Sequence, residues 1–250
     1  MPYSASIIIV GSEVLKGITQ DTNSHWLSKR VTELGFNVVR IIVVPDSFED
    51  ISWALRSALE VSDAVIVSGG LGFTADDITL EASARALGLK LILNEEALDM
   101  IRAKLSRGVS YQIKAAYLPE GSKPLKNHVG ISPGVYLQVN NKDVFFLPGV
   151  PAEMKSIFES EISPILSCRA KYYTVTIDIV TKHRRESEVD SLISSLKQKY
   201  SEYYFKTHAS TPVRLSIVIS LPSRDALSDK VNALLGELKQ VLDIESVDIK

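Results

Sequence analysis

Ala64-Val65-Ile66-Val67-Ser68-Gly69-Gly70-Leu71-Gly72-Phe73-Thr74-Ala75-Asp76-Asp77-Ile78-Thr79 is the stretch on which the fold is decided. Four consecutive apolar residues, three of them β-branched, predict a strand buried on both faces, as in a parallel sheet. Leu80, Ala84 and Leu87 then recur at helical spacing, so the segment reads strand, loop, helix. Glycines in such a loop let main-chain N–H groups approach phosphate oxygens, and a following helix N-terminus adds partial positive charge. A second reading needs no ligand: glycine makes the turn, and Thr74 with Asp77 three residues on forms a capping box. The adjacent carboxylates of Asp76 and Asp77 weigh against that reading alone. At the mouth of an anion site they repel each other and the anion unless a cation such as Mg²⁺ or another divalent metal lies between them. Asp76 and Asp77 are therefore the candidate metal ligands.

Outward from this loop the same alternation continues, which predicts an open, mostly parallel α/β sheet over residues 1–168. A strand spans Ala5 to Val10, with Gly11-Ser12-Glu13 at its end. Asp21-Thr22-Asn23-Ser24 supplies cap residues for a helix through Leu34, stopped by Gly35. A strand from Asn37 to Val44 follows, then a helix opened by Asp46 and Ser47, and beyond the Gly loop a helix from Glu95 to Ser106. Leu118-Pro119-Glu120-Gly121, Asn127, Gly130 and Ser132-Pro133-Gly134 punctuate short extended pieces. Val135–Val139 and Val144–Leu147 read as a hairpin across Asn140-Asn141, a dipeptide that tolerates positive φ. Pro151 then opens a helix through Ile165, with Glu153 near its positive end.

Near Cys168 the pattern changes to strand, helix, strand, strand, helix, strand, so residues 169–250 are expected to form a small α+β domain of KH-like or ferredoxin-like type. The strands fall at Tyr172–Thr181, Tyr203–Thr207, Arg214–Ser220 and Ile244–Ile249, and the helices at Glu186–Tyr200 and Arg224–Leu242. A nucleic-acid-clamping KH module uses a Gly-x-x-Gly loop, which this segment lacks. Lys182-His183-Arg184-Arg185 reads as a solvated turn, with a phosphate contact as the alternative.

Composition narrows the function. With 250 residues, 45% hydrophobic, and a net charge of −2, the chain can bury a sizeable core and shows no basic excess for nucleic acid. No apolar run reaches the roughly 18 residues of a membrane helix, and the N-terminus enters a strand without a charged leader. A cytoplasmic protein is expected. A single Cys168 excludes an internal disulfide and a cysteine zinc cluster, and the four histidines show no His-Glu-x-x-His spacing.

Several motifs in order resemble one family: Gly11-Ser12-Glu13, Gly17 with Asp21-Thr22-Asn23-Ser24, the loop Gly69 to Thr79, and Leu147-Pro148-Gly149-Val150-Pro151-Ala152-Glu153-Met154. Residues 5–166 resemble the competence/damage-inducible CinA family. The resemblance implies an N-terminal domain of the MoaB/MogA-like molybdopterin-binding fold, a three-layer, mostly parallel sheet also present in eukaryotic FAD synthases, followed by the family's KH-like middle domain. It further implies a nucleotide- or pterin-phosphate site and a divalent-metal-dependent ADP-ribose pyrophosphatase activity. The nicotinamide mononucleotide deamidase domain into which many bacterial members continue is not expected here. Ser12 stands where the family commonly has Asp or Asn, Phe73 where it has Pro, and Ala115 where Gln is common after Lys114.

On this reading Gly69, Gly70, Gly72 and Thr74 hold a phosphate, Asp76 and Asp77 position Mg²⁺, and Glu13, on the carboxyl edge of the first strand, takes a metal-bound water or a ribose hydroxyl. Glu153 is a second candidate base, or only a helix-dipole partner. Ser132, Gly134, Pro148 and Gly149 would wall the pocket, although Pro-Gly turns need no ligand to explain them. Asn23 is a cap first and a ligand contact second; Lys114, Lys126 and His128 are phosphate contacts or solvated groups. The alternatives are a pterin-binding or adenylylating protein and a non-catalytic binding module. The expected partner is a phosphorylated small molecule, nucleotide or pterin, with no nucleic acid and no membrane. Self-association into a homo-oligomer is expected from relatives of this fold.

Overall fold

Every residue of Ala64–Ser68 is buried, as happens when a strand lies inside a sheet covered on both faces. A computed structural model describes residues 2–105 and 112–250. They divide into two units, residues 3–32 with 36–169, and residue 2 with 33–35 and 170–250.

The first unit opens with β1 (Ser4–Val10), α1 (Ser12–Leu15), α2 (Asn23–Glu33), β2 (Asn37–Val44), α3 (Phe48–Val61) and β3 (Ala64–Ser68). It continues through α4 (Thr79–Leu87), β4 (Leu91–Leu93), α5 (Glu95–Arg102), a 3₁₀ turn at Gln112–Ala116, β5 (Tyr117–Pro119) and β6 (Lys123–Leu125). The hairpin β7 (Gly134–Val139) and β8 (Lys142–Leu147) leads to α6 (Pro151–Ile157) and α7 (Ser163–Arg169). The expected end of the α5 helix at Ser106 lies outside the described residues.

Six strands form one sheet in the order β2-β1-β3-β8-β7-β6. The first four are parallel and the last two antiparallel. The antiparallel edge follows from the two-residue turn at Asn140 and Asn141, both at positive φ (49° and 65°), which reverses the chain directly. Winding proceeds from β1 outward to β2, then back across β1 to β3, so its direction reverses between β1 and β3.

Alternation places Ile8, Val10, Val65, Val67, Val144 and Phe146 on one face, packed with Ile51, Ala54, Leu55 and Ala58 of α3 and Ala97, Leu98 and Ile101 of α5. The α3 positions follow the helical i, i+3, i+4, i+7 stripe. Ile7, Ile66 and Phe145, aligned in register on the other face, are buried, as are Leu27 and Val31 of α2 and Met154 and Ile157 of α6. Trp26 of α2 meets Phe158 edge-on at 5.3 Å between ring centroids. Helix, sheet, helix is the expected three-layer arrangement.

The single helix expected from Pro151 is interrupted by a π-helical turn at Phe158–Ile162. Pro164 explains it: proline removes an N–H from the helical ladder and its ring crowds the carbonyl four residues back, here Ser160, so the turn before it widens.

The second unit contains β9 (Tyr173–Thr181), α8 (Glu186–Leu192), α9 (Ser194–Lys199), β10 (Tyr204–His208), β11 (Arg214–Leu221), α10 (Arg224–Val241) and β12 (Ile244–Ile249). Its strands pair antiparallel in the order β10-β11-β9-β12, the split βαβ topology of a ferredoxin-like unit. Ile177, Ile179, Leu215, Ile217 and Ile219 of the sheet share a core with Val189, Leu196, Leu227, Val231, Leu234 and Leu238 of the helices. The helix expected over Glu186–Tyr200 is two helices. Ile193, at φ −93° and ψ 1°, breaks it and is itself wholly buried in this core. On the outward side of the sheet Asp178 accepts from Ser216 and Lys250, each at 2.7 Å. Among the described residues no helix is long and apolar enough to cross a membrane.

Candidate functional site

A cleft of about 1160 Å³ opens over the carboxyl ends of β1, β3 and β8, where the winding direction reverses. Neighbouring connections depart to opposite sides at such a point and leave a crevice, the usual ligand position in open α/β sheets. Val10 to Glu13, Gly69 to Phe73, Pro148 to Val150 and Val129 to Ser132 line it, with Lys16, Ile18, Asp46, Asp76, Asp77 and Glu153.

The Gly loop is a closed structure of its own. Gly69 N–H donates to Leu147 O (3.0 Å), and Thr79 ties the start of α4 back to the loop through its Oγ1 to Gly69 O (2.8 Å) and its N–H to Gly70 O (3.3 Å). Gly69 sits at φ +115° and a Cβ there would lie 2.0 Å from Val10 O, while one on Gly70 would lie 2.1 Å from Thr79 Oγ1. Only glycine meets both the positive φ and the close approach.

Asp77 fastens the other end. One carboxylate oxygen accepts Gly72 N–H (2.8 Å), and the other accepts Thr74 N–H (2.8 Å) and Thr74 Oγ1 (2.7 Å). The Thr74 and Asp77 pairing foreseen from the capping-box spacing is therefore present in part, as a turn. The helix it was expected to cap starts only at Thr79, so the N-terminus of α4 does not directly follow the glycines. Gly72 N–H and Thr74, expected to hold phosphate, donate to Asp77 instead. The amides of Gly70 and Leu71 bond to no acceptor among the described residues, and both residues line the cleft. Asp76 and Asp77 are thus unlike: Asp77 has both oxygens engaged, whereas Asp76 is exposed and, among the described residues, unpaired.

Buried pins hold the neighbouring walls. Asn23, 7% exposed, donates through Nδ2 to Ser68 Oγ (3.1 Å) and Gly149 O (2.8 Å), and Ser68 Oγ donates to Pro148 O (3.0 Å). The cap of α2 is Asp21, which accepts Ser24 N–H at 2.9 Å; Asn23 joins the ends of β3 and β8 and does not line the cleft. Asp46, expected to open α3, accepts Ser12 N–H (2.9 Å) and Ser12 Oγ (2.8 Å), while Ser47 caps that helix. Ser12 is thereby bound to Asp46 through both its main-chain N–H and its hydroxyl.

The opposite wall is held by Asn127, buried to 3% exposure. Its amide donates to Ser132 O (2.8 Å) and Glu153 Oε2 (2.7 Å) and its oxygen accepts Val129 and Gly130 N–H. Lys104 binds the carbonyls of Asn127 and Gly130. Glu153 therefore has a side-chain donor beyond its place in the first turn of α6.

Of the residues singled out in the sequence, Glu13, Gly69, Gly70, Gly72, Asp76, Asp77, Ser132, Pro148, Gly149 and Glu153 come together around the cleft. Thr74, exposed, and Asn23, buried, are not among the residues that line it. Gly134 opens β7 and packs near Ile157, Phe146 and Leu125, away from it. Lys16, Asp46 and Val129 to Ile131 line the cleft unforeseen; Asp46 and Val129 to Ile131 are brought in by contacts far apart in sequence, which no local pattern reveals.

The lining carries five carboxylates, Glu13, Asp46, Asp76, Asp77 and Glu153, against one cationic side chain, Lys16. Three of the five accept hydrogen bonds from the loops. Glu13 and Asp76 accept none among the described residues. No group of three His, Cys, Asp or Glu side chains able to hold a metal exists among the described residues. The donor set fits only an ion that shares its coordination with ligand phosphates, because Mg²⁺ commonly takes one or two carboxylates beside substrate oxygens.

Comparison with known proteins covers this same region. Residues 6–167 match the family model described as "Probable molybdopterin binding domain". A protein of Pyrobaculum calidifontis is 39% identical over 96% of this chain and 95% of its own length. A protein of Metallosphaera sedula is 37% identical over 97% and 95%. The crystal structure of the protein CinA from Thermoplasma acidophilum is 42% identical with a TM-score of 0.63, over 65% of this chain and 98% of that one.

Proposed function

The chain belongs to the molybdopterin-binding-domain family and is CinA-like over its first unit, and from that premise we propose that its cleft binds a nucleoside diphosphate derivative and hydrolyses the diphosphate with a divalent cation, ADP-ribose being the representative substrate. The observation that carries this reading is the pairing, in one cleft, of unengaged main-chain amides at Gly70 and Leu71 with two unengaged carboxylates, Glu13 and Asp76. The amides hold a phosphate oxygen without needing arginine. Asp76 would hold the cation carried on the phosphates, which would supply charge neutralisation on the phosphoryl oxygens, and Glu13 is left free as a base. Glu13 accepts the proton of the attacking water as its oxygen bonds to phosphorus and the bridging P–O bond breaks. Asp77 keeps the loop closed while this happens. The products are AMP and ribose 5-phosphate.

Incubation with ADP-ribose and Mg²⁺ or Mn²⁺ followed by chromatography should show both products in equal amounts, and Glu13→Gln should slow their release by roughly 10²-fold. Absence of release over a range of metals and temperatures would overturn hydrolysis. A second reading is favoured by the extent of the family match, which spans the whole cleft: the ligand is a pterin phosphate, held and not cleaved. Pterin fluorescence in the purified protein, with no phosphate ester cleaved, is its signature.

A further inference from the structure

Behind the Gly loop lies a second cavity, of about 380 Å³, within the size range of small-molecule pockets, about 300–1,000 Å³. Its walls are Leu71, Leu80, Leu91, Ile113, Ala115 and Tyr117, with Asp77, Glu81 and Lys114 at its polar side. Gly70, Leu71, Gly72 and Asp77 line both this cavity and the cleft, so the two spaces are separated only by the loop. Their side chains differ: the cleft carries five carboxylates, the cavity mostly aliphatic side chains and a tyrosine ring.

The geometry points to this cavity as the seat of the ligand's purine ring, with its phosphates in the cleft across the loop; the inference rests on the phosphate-binding reading of the cleft. Aliphatic side chains dominate the lining and suit an aromatic face, and Tyr117, 41% exposed, adds a ring to stack on it. Lys114 supplies the polar edge. Its ammonium donates to Thr74 O at 2.5 Å, and with three donors in all it retains N–H groups for ring nitrogens, which are acceptors in adenine. Asp77 and Glu81 do not compete for that role: Asp77 is engaged by the loop, and Glu81 is paired with Arg85 at 2.5 Å. The small side chain of Ala115, almost wholly buried, leaves the cavity open at the position where a longer residue would enter it.

Calorimetric titration with three probes, ADP-ribose, adenosine and inorganic pyrophosphate, on the wild type and on Ala115→Leu and Tyr117→Ser separates the two spaces. Ala115→Leu fills the cavity; Tyr117→Ser removes its exposed ring and leaves the core intact should the first variant fail to fold. The expected result is a loss of about tenfold or more in affinity for ADP-ribose and adenosine in both variants, the scale of one buried ring contact, with pyrophosphate affinity unchanged. Unchanged ADP-ribose affinity in the folded variants, or a wild type that binds pyrophosphate but no adenosine, overturns the ring assignment and leaves the cleft reading standing. Adenosine binding that depends on Ala115 and Tyr117, in a protein with no affinity for pyrophosphate, upholds the ring site and overturns the phosphate reading.

Discussion

Two adjacent aspartates, identical in chemistry, differ in what they touch. Asp77 accepts three hydrogen bonds from Gly72 and Thr74; Asp76 accepts none among the described residues and faces the cleft. Removing Asp77 strands main-chain donors in a tight loop, whereas removing Asp76 strands nothing. Asp77→Ala should therefore lower stability by about 1–2 kcal/mol, and Asp76→Ala by no more than about 0.5 kcal/mol, so that on the proposed reading Asp76→Ala abolishes turnover at nearly unchanged stability. Urea denaturation of both variants checks this, and equal midpoints would remove the distinction. The sequence displayed the pair and its three-residue spacing to Thr74, but not which member closes the loop, because that depends on where α4 begins.

At the scale of elements, most of the architecture was legible. Apolar runs at β1 and β3, helical stripes at α3 and α5, and the Asn140-Asn141 turn each follow from local rules. What was hidden lay in bonds between distant segments: Asp46 to Ser12, Asn23 to Gly149, Asn127 to Glu153. Likewise the break at Ile193 answers to the core it fills, and the π turn to a proline whose effect falls on the preceding turn. The β7–β8 turn offers a test at this scale. Asn141 holds φ 65°, a conformation glycine adopts without strain, so Asn141→Gly should raise stability by up to about 1 kcal/mol. Asn140→Val forces a β-branched residue into positive φ and should cost about 1–2 kcal/mol. Denaturant midpoints with unchanged slopes are the readout; equal midpoints for the two variants would show that the turn does not set the hairpin.

For the whole molecule, charge linkage sets the acid limit. Burial pushes the Asp63 carboxyl up, but hydrogen bonds from Ser4 N–H and hydroxyl and the charge of Lys142 outweigh it and leave it below its ordinary value. Asp178 behaves alike: burial raises it, and the hydrogen bond and charge of Lys250, with the Ser216 hydroxyl, outweigh that and leave it below its ordinary value. Both groups hold protons less tightly in the folded chain than in the unfolded one. Their contribution is fully present above the unfolded value near 3.8 and is lost as pH falls through the lowered folded values. Melting temperature measured on Asp63→Asn should accordingly vary less with pH below about 4 than in the wild type; identical acid limbs would show that the Ser4 bonds do not discriminate between protonation states.

The reversal of winding between β1 and β3 does more than place the cleft. A crevice placed by main-chain topology has its walls pinned by a few side chains, Asn23, Asp77 and Asn127, and rim residues that make no such bond, Glu13 and Asp76, can change without closing it. Ser12 and Phe73 both line the crevice, one bonded to Asp46, the other packed against the core. Single substitutions at such rim positions therefore alter what the crevice can hold while the crevice itself stays in place.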